Sequence, residues 1–206
     1  MAVLSNKARI VLMVMMMVFA ALINTKANAE DAAAFKKFTV YQDKPSRNHY
    51  YISGYMPDGE CVSMDDAWQQ GCQEGRSCIK AFFGRECATM HQAWSGVYWL
   101  QPANNWGDNK GGYKLEGAKR LVFWARGEKG GETIVFKLGG VGVGRDFPDT
   151  DSAGTEPLKL TKDWQEYSID LKGKNLKRIA GGFAWIGNVK DNSSNATFYL
   201  DNIYFE

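Results

Sequence analysis

The 206-residue chain has only two histidines and five prolines, and it has almost no surplus of charge, with 25 Lys and Arg against 23 Asp and Glu. It contains no G-x-S-x-G elbow, no H-E-x-x-H and no P-loop, which removes the local signatures of serine hydrolases, zinc peptidases and nucleotide-binding enzymes. The glycine-rich stretch Gly139 to Gly144 fits G-x-G-x-x-G in no register and reads as a strand end or bulged bend. No apolar run is long enough to cross a bilayer: the longest, Ile10 to Ile23, has 14 residues where about 20 are needed.

That run reads instead as the middle of a secretory signal. Lys7 and Arg9 precede it, and Ala27-Asn28-Ala29 follows with a small-x-small cleavage pattern. Cleavage after Ala29 leaves residues 30–206 as one exported domain with no membrane span. It removes Lys7, Arg9 and Lys26 and no acid, so the formal charge of +2 falls by three to −1. Without a basic surplus nothing marks a nucleic-acid surface. The expected location is secreted or periplasmic.

Export gives the four cysteines, Cys61, Cys72, Cys78 and Cys87, a role as disulfides rather than as metal ligands. Three pairings are open. The nearest-neighbour scheme, Cys61 with Cys72 and Cys78 with Cys87, is the working expectation. Oxidation would also bar Cys87 from acting as a nucleophile with His91, the one local Cys-His pair.

From Phe38 onward the chain is a series of short alternating or apolar runs cut by Gly, Asn and Asp, the punctuation of strands. In Arg120–Arg126, Leu121, Phe123 and Ala125 take one face. In the next run Ile134, Phe136 and Leu138 do the same, and the glycine-bearing link between them predicts an antiparallel hairpin. Further runs lie at 38–41, 49–52, 77–83, 95–100, 166–171, 179–186 and 197–205. Eight to ten strands without an amphipathic helix predict an all-β fold, a two-sheet antiparallel sandwich or jelly roll.

Two acidic groupings invite chemistry. Glu128 and Glu132 flank the glycine link as a carboxylate pair of the kind used in glycoside hydrolysis, and Asp146, Asp149 and Asp151 gather in one loop with the oxygen ligands that Ca²⁺ takes. Solvated surface is the expectation for both, so no catalytic residue is assigned. The most suggestive stretch is Trp94 to Gly107. Trp94 and Tyr98 share one strand face and Trp106 sits in an Asn/Gly loop, where flat rings suit the apolar faces of sugars. Trp124, Trp164 and Trp185 read as core.

The closing half, LTKDWQEYSIDLKGKNLKRIAGGFAWIGN (160–188) and ATFYLDNIYFE (196–206), resembles the C-terminal strands of carbohydrate-binding modules with the galactose-binding-like β-jelly roll. KRLVFWARGEKGGETIVFKLGG (119–140) and YISGYMPDGE (51–60) are similar to their central and early strands. The resemblance implies non-catalytic binding of a polysaccharide or oligosaccharide, and a structural Ca²⁺ held by Asp201 of the last strand and by Asp43 just after the first. The cysteine-rich insert 61–87 has no match. The expected ligand contacts are Trp94, Tyr98 and Trp106 for stacking and Asn105, Arg126 and Glu128 for hydroxyls. The rival readings are a hydrolase or lyase on the same scaffold and a structural envelope protein that grips another protein.

Overall fold

The computed structural model describes residues 34–57 and 59–206. The expected signal peptide, residues 1–29, lies outside the described residues. Twelve strands and one short helix follow in the order β1 (Phe38–Tyr41), β2 (Tyr51–Met56), β3 (Val62–Trp68), β4 (Cys78–Phe83), α1 (Arg85–Met90), β5 (Trp94–Leu100), β6 (Arg120–Gly127), β7 (Thr133–Gly139), β8 (Ser152–Gly154), β9 (Leu158–Lys159), β10 (Gln165–Asp170), β11 (Gly181–Asn188) and β12 (Ala196–Phe205). They form two six-stranded sheets in which every pairing is antiparallel. The first sheet runs β10-β6-β12-β4-β3 with β1 on β12, and the second runs β2-β5-β11-β7-β8 with β9 on β7. The expected sandwich is the fold.

Alternation along each strand drives the layering, because successive side chains point to opposite faces and one face of each sheet must leave water. Leu121, Phe123 and Ala125 of β6 meet Ile134, Phe136 and Leu138 of β7 in one buried core, as the sequence pattern requires. These two strands do not form the expected hairpin, however. β6 pairs with β10 and β12 in the first sheet, and β7 pairs with β11, β8 and β9 in the second. Link 127–132 crosses between the sheets, held where the Gly127 and Gly131 N–H groups donate to the Thr161 and Leu160 carbonyls, both at 2.8 Å. Phe123 and Phe136 therefore face each other across the sandwich, ring centroids 4.6 Å apart, instead of sitting side by side.

The cysteines pair as Cys61–Cys87 and Cys72–Cys78, which corrects the nearest-neighbour expectation. β3 and β4 form an antiparallel hairpin with Val62 opposite Phe83, so Cys61 and the start of α1 lie together at its base, while Trp68 opposite Cys78 brings Cys72 beside Cys78 in the turn. The bridges are nested, one closing the hairpin and one closing its tip. The outer bridge spans a separation of 26 residues, for which the loop-entropy relation gives about 3.5 kcal/mol. Cys61→Ser/Cys87→Ser should lower stability by about that amount in urea unfolding. A double variant as stable as the parent would contradict the role of the bridge.

Candidate functional site

The six residues expected to contact a ligand divide between opposite faces of the sandwich. On β5, Val97 and Trp99 point into the main core, while Tyr98 and Leu100 form a separate outer cluster with Ala184 and Val141, against which Met56 and Trp106 pack. Trp94 shares the outer parity of Tyr98 and is half-buried.

Between Trp94 and Tyr98 lies Gly96, flanked by Met56 of β2 and Ile186 of β11, with Val135 of β7 beyond. A Cβ at Gly96 would collide with the Trp185 carbonyl, so the strand surface is low there. The result is a half-buried apolar row across four strands, with Trp94 on one side and the Tyr98–Trp106 pair on the other. Trp94 and Tyr98 are four residues apart, about 13 Å along the strand.

Trp106 meets Tyr98 edge-to-face at 6.0 Å, and the Tyr98 hydroxyl donates to the Gly139 carbonyl at 2.8 Å. Burial pushes the Tyr98 phenol up from its ordinary value, so it stays a neutral donor. Tyr98 is only 6% exposed and supports Trp106 from below. Asn105 differs from its expected role. It is 3% exposed, its Oδ1 accepts the N–H groups of Gly107 and Asn109 at 3.1 Å, and its Nδ2 donates to the Asn109 carbonyl at 2.8 Å. Its amide shapes the loop that carries Trp106 and is not free for a ligand. Gly107 completes the loop at φ +98°, and its missing Cβ lets the backbone approach Gly142.

Arg126 and Glu128 lie on the outer face of the first sheet. There the Arg126 guanidinium sits 3.9 Å from the Tyr199 ring and 5.3 Å from that of Trp164, and the Lys80 ammonium sits 4.3 Å over Trp68. The Tyr199 hydroxyl donates to Glu128 at 3.3 Å, and Trp164 Nε1 donates to the Gly71 carbonyl at 2.9 Å. Trp124 and Trp164, expected in the core, are half-buried on this face, whereas Trp185 is in the core as expected. These two cations bridge the rings of Trp68, Tyr199 and Trp164 across neighbouring strands of this face.

The two carboxylates of the expected pair have different partners. Glu128 faces Tyr199 and Lys80, whereas Glu132 is 8% exposed and accepts the Lys129 N–H at 2.8 Å within the link. The Cys87–His91 pair is closed to nucleophilic chemistry, because Cys87 is in a disulfide. Cys61, Cys87 and His91 are the one cluster of three potential metal ligands among the described residues, and the same bond removes two of them.

In loop 146–151, Asp149 accepts N–H groups from Val141, Ala180 and Gly181, and Asp151 accepts those of Ser152 and Asn175. Both acids tie this loop to its neighbours. The chain carries two N-x-Ser/Thr sequons, Asn192-Ser193-Ser194 and Asn195-Ala196-Thr197; Asn192 is 6% exposed with its amide bonded to Thr133 and Asn188, while Asn195 is exposed.

Asp201 and Asp43, the residues expected to hold Ca²⁺, are gripped by the turn that Cys72–Cys78 closes. Asp201 is fully buried. Its Oδ2 accepts the Gln73 and Glu74 N–H groups at 3.1 and 3.2 Å, and its Oδ1 accepts that of Asn202 at 2.8 Å. Asp43 Oδ1 accepts the Arg76 and Ser77 N–H groups, both at 2.8 Å. A hard cation needs six to eight converging oxygens. Five N–H groups converge here instead, and no three acidic ligand atoms meet among the described residues. The residues do not fit a Ca²⁺ centre, because the turn's amides take the place a cation would fill. EDTA should therefore shift the thermal midpoint by less than about 1 °C, and a larger fall restored by Ca²⁺ would contradict this reading.

Burial pushes the Asp201 carboxyl up to about 6, against the opposing pull of the three N–H groups, with nearby Asp43 adding a smaller upward push. The Asp149 carboxyl also moves up through burial.

No protein-family model and no curated protein matches the chain. Solved structures do. A family 30 carbohydrate-binding module superimposes with TM-score 0.55 at 14% identity, covering 82% of this chain and 87% of that one. The family 30 module of a cellulosomal cellulase of Clostridium thermocellum gives 0.54 at 14%, covering 83% and 97%. The family 11 module of Clostridium thermocellum, solved in complex with a β-1,3-1,4-mixed-linked tetrasaccharide, gives 0.54 at 12%, covering 84% and 96%. At these identities the likeness is one of fold: this chain is built on the β-sandwich of the family 30 and family 11 carbohydrate-binding modules.

Proposed function

We propose that this protein is an exported, non-catalytic carbohydrate-binding protein that lays a glycan chain across the outer face of the second sheet. The observation that carries the reading is the apolar row of Met56, Ile186 and Val135, half-exposed around the buried Gly96 and bordered by Trp94 and Trp106. A sugar ring has apolar C–H faces and a polar rim, so it gains from a flat, partly desolvated floor with indole walls while its hydroxyls stay wet. Lys137, half-buried on the same face, supplies a donor at the edge. The similarity in fold to carbohydrate-binding modules supports the reading, and the two disulfides support an oxidising compartment. Among the described residues no helix is long and apolar enough to cross a membrane.

Affinity electrophoresis through a panel of soluble polysaccharides tests the proposal, with reducing ends assayed in parallel. Retardation in one glycan class with no release of reducing ends is the expected result. Release of reducing ends that Glu128→Gln abolishes would replace this reading with the enzyme.

A further inference from the structure

The outer face of the second sheet continues past its apolar row. Thr133 and Lys137 share the outward parity of Val135, two residues to either side of it on β7, and Lys159 of β9 lies opposite Thr133. At Thr133 the face opens into a groove of about 600 Å³ between link 129–132, Lys159 and loop 189–196. Its walls are set before anything binds. The Asn192 side chain accepts the Thr133 N–H at 2.9 Å and donates to the Thr133 and Asn188 carbonyls at 2.8 and 3.1 Å, while Arg85 Nε donates to the Asn192 carbonyl at 2.7 Å. Asn188 also lies opposite Trp94, so the groove joins the platform beside that indole.

Four cations line the groove, Arg85, Lys129, Lys159 and Lys190, against two acids, Glu132 and Asp191. The salt bridges of the described residues involve none of these four cations. Glu132 is 8% exposed, with one oxygen on the Lys129 N–H and the other closed off from solvent beside Gly127. Lys129, Lys159 and Lys190 are exposed. Lys137 adds a cation at the exit of the row, and the link between β8 and β9 adds one exposed acid, Glu156. The whole chain is nearly balanced, with 25 Lys and Arg against 23 Asp and Glu, so this excess is local and not a general basicity. Unpaired cations gathered around a concave surface raise its potential and draw in anions.

We propose that the glycan laid on the platform is an acidic polysaccharide, whose carboxylate or sulfate groups enter this groove and pair with Lys129, Lys159 and Lys190. The proposal rests on the carbohydrate-binding reading and names the chemical class of its ligand. A neutral chain would gain the stacking on the platform and nothing from the four cations.

Affinity electrophoresis in matched pairs of polysaccharides, alike in backbone and different in charge, tests the proposal: carboxymethylcellulose with hydroxyethylcellulose, polygalacturonate with methyl-esterified pectin, and dextran sulfate with dextran. The parent should bind the acidic member of one pair about tenfold more tightly than its neutral counterpart, and Lys159→Gln/Lys190→Gln should remove about that factor, as for the loss of two exposed ion pairs. Lys159→Arg/Lys190→Arg should keep the affinity. Lys172→Gln/Lys177→Gln removes the same charge outside the groove and should change nothing. Raising the ionic strength from about 0.1 to about 1 M shortens the screening length from about 10 to about 3 Å and should abolish the preference for the acidic member. Equal or tighter binding of the neutral member in every pair, or the same loss from Lys172→Gln/Lys177→Gln, would overturn the acidic ligand and leave the platform standing. Acidic retention unchanged by Trp94→Ala would keep the groove and overturn the platform, and no retention of the folded parent in any of the gels would overturn both.

Discussion

Asp201→Ala should lower the thermal midpoint by about 10 °C at pH 4.5 and by about half as much at pH 7.5. Three backbone N–H groups, those of Gln73, Glu74 and Asn202, end on this fully buried carboxyl, and truncation leaves them without an acceptor. At about 1–3 kcal/mol for each unmet buried donor, partly relieved by local relaxation, the loss is about 4 kcal/mol. In a domain of this size each kcal/mol moves the midpoint by about 2–4 °C.

The pH dependence follows from the raised carboxyl. Its value of about 6 in the fold stands above the 3.8 of the free side chain. Between those values the folded state holds a proton that the unfolded state has released, so stability is fully present at low pH and is lost as pH rises through 6. Between pH 4.5 and 7.5 this amounts to about 2 kcal/mol, and the variant, which has no carboxyl to bury, should not show that part of the decline. Asp149 also sits above its ordinary value and adds a decline of the same sign in both proteins. Calorimetric scans across this range check the account. A variant penalty that grows with pH, or a parent whose stability rises from pH 4.5 to 7.5 by more than the variant's, would contradict it.

The second large effect is on binding. Trp94→Ala should weaken the preferred polysaccharide about 30-fold, and Trp106→Ala by a similar factor, since loss of a central aromatic contact commonly costs about 2 kcal/mol or more. The two indoles border one apolar row, so the double variant should abolish measurable retention. Trp164→Ala and Trp68→Ala, on the opposite face, should leave binding intact. They should reduce stability, because the Arg126 and Lys80 cations rest on those rings. Affinity electrophoresis paired with unfolding curves separates the faces. Loss of retention from Trp164→Ala in a folded protein would move the site to the first sheet.

Much of the fold is legible in the sequence because alternation is a local property. The β6 and β7 patterns assign Phe123 and Phe136 to the core correctly, since inward parity needs no knowledge of pairing. Pairing itself is not local. A glycine-bearing link of hairpin length joins β6 to β7, yet it crosses between sheets because the Thr161 and Leu160 carbonyls receive its N–H groups from elsewhere in the chain.

The cysteine scheme fails for the same reason. Cys61 meets Cys87 only once β3 and β4 have paired, and in β3 the Asp65-Asp66 pair interrupts the apolar positions Val62, Met64 and Trp68 that would mark a strand. On the candidate site, Trp94, Tyr98 and Trp106 share one face because Trp94 and Tyr98 lie on one strand with the same parity and Trp106 on the loop that follows it. Arg126 and Glu128 belong to the other face, which no spacing reveals. Trp164 reads as core because its strand alternates, but it lies just before β10 and folds back on Gly71.

The most direct test of the central claim is a glycan array probed with the parent protein, Trp94→Ala and Trp164→Ala, each verified as folded. The account predicts a defined glycan class bound by the parent, the same class bound equally by Trp164→Ala, and that signal lost in Trp94→Ala. Silence of the folded parent across a broad array, or equal binding by all three proteins, would contradict it.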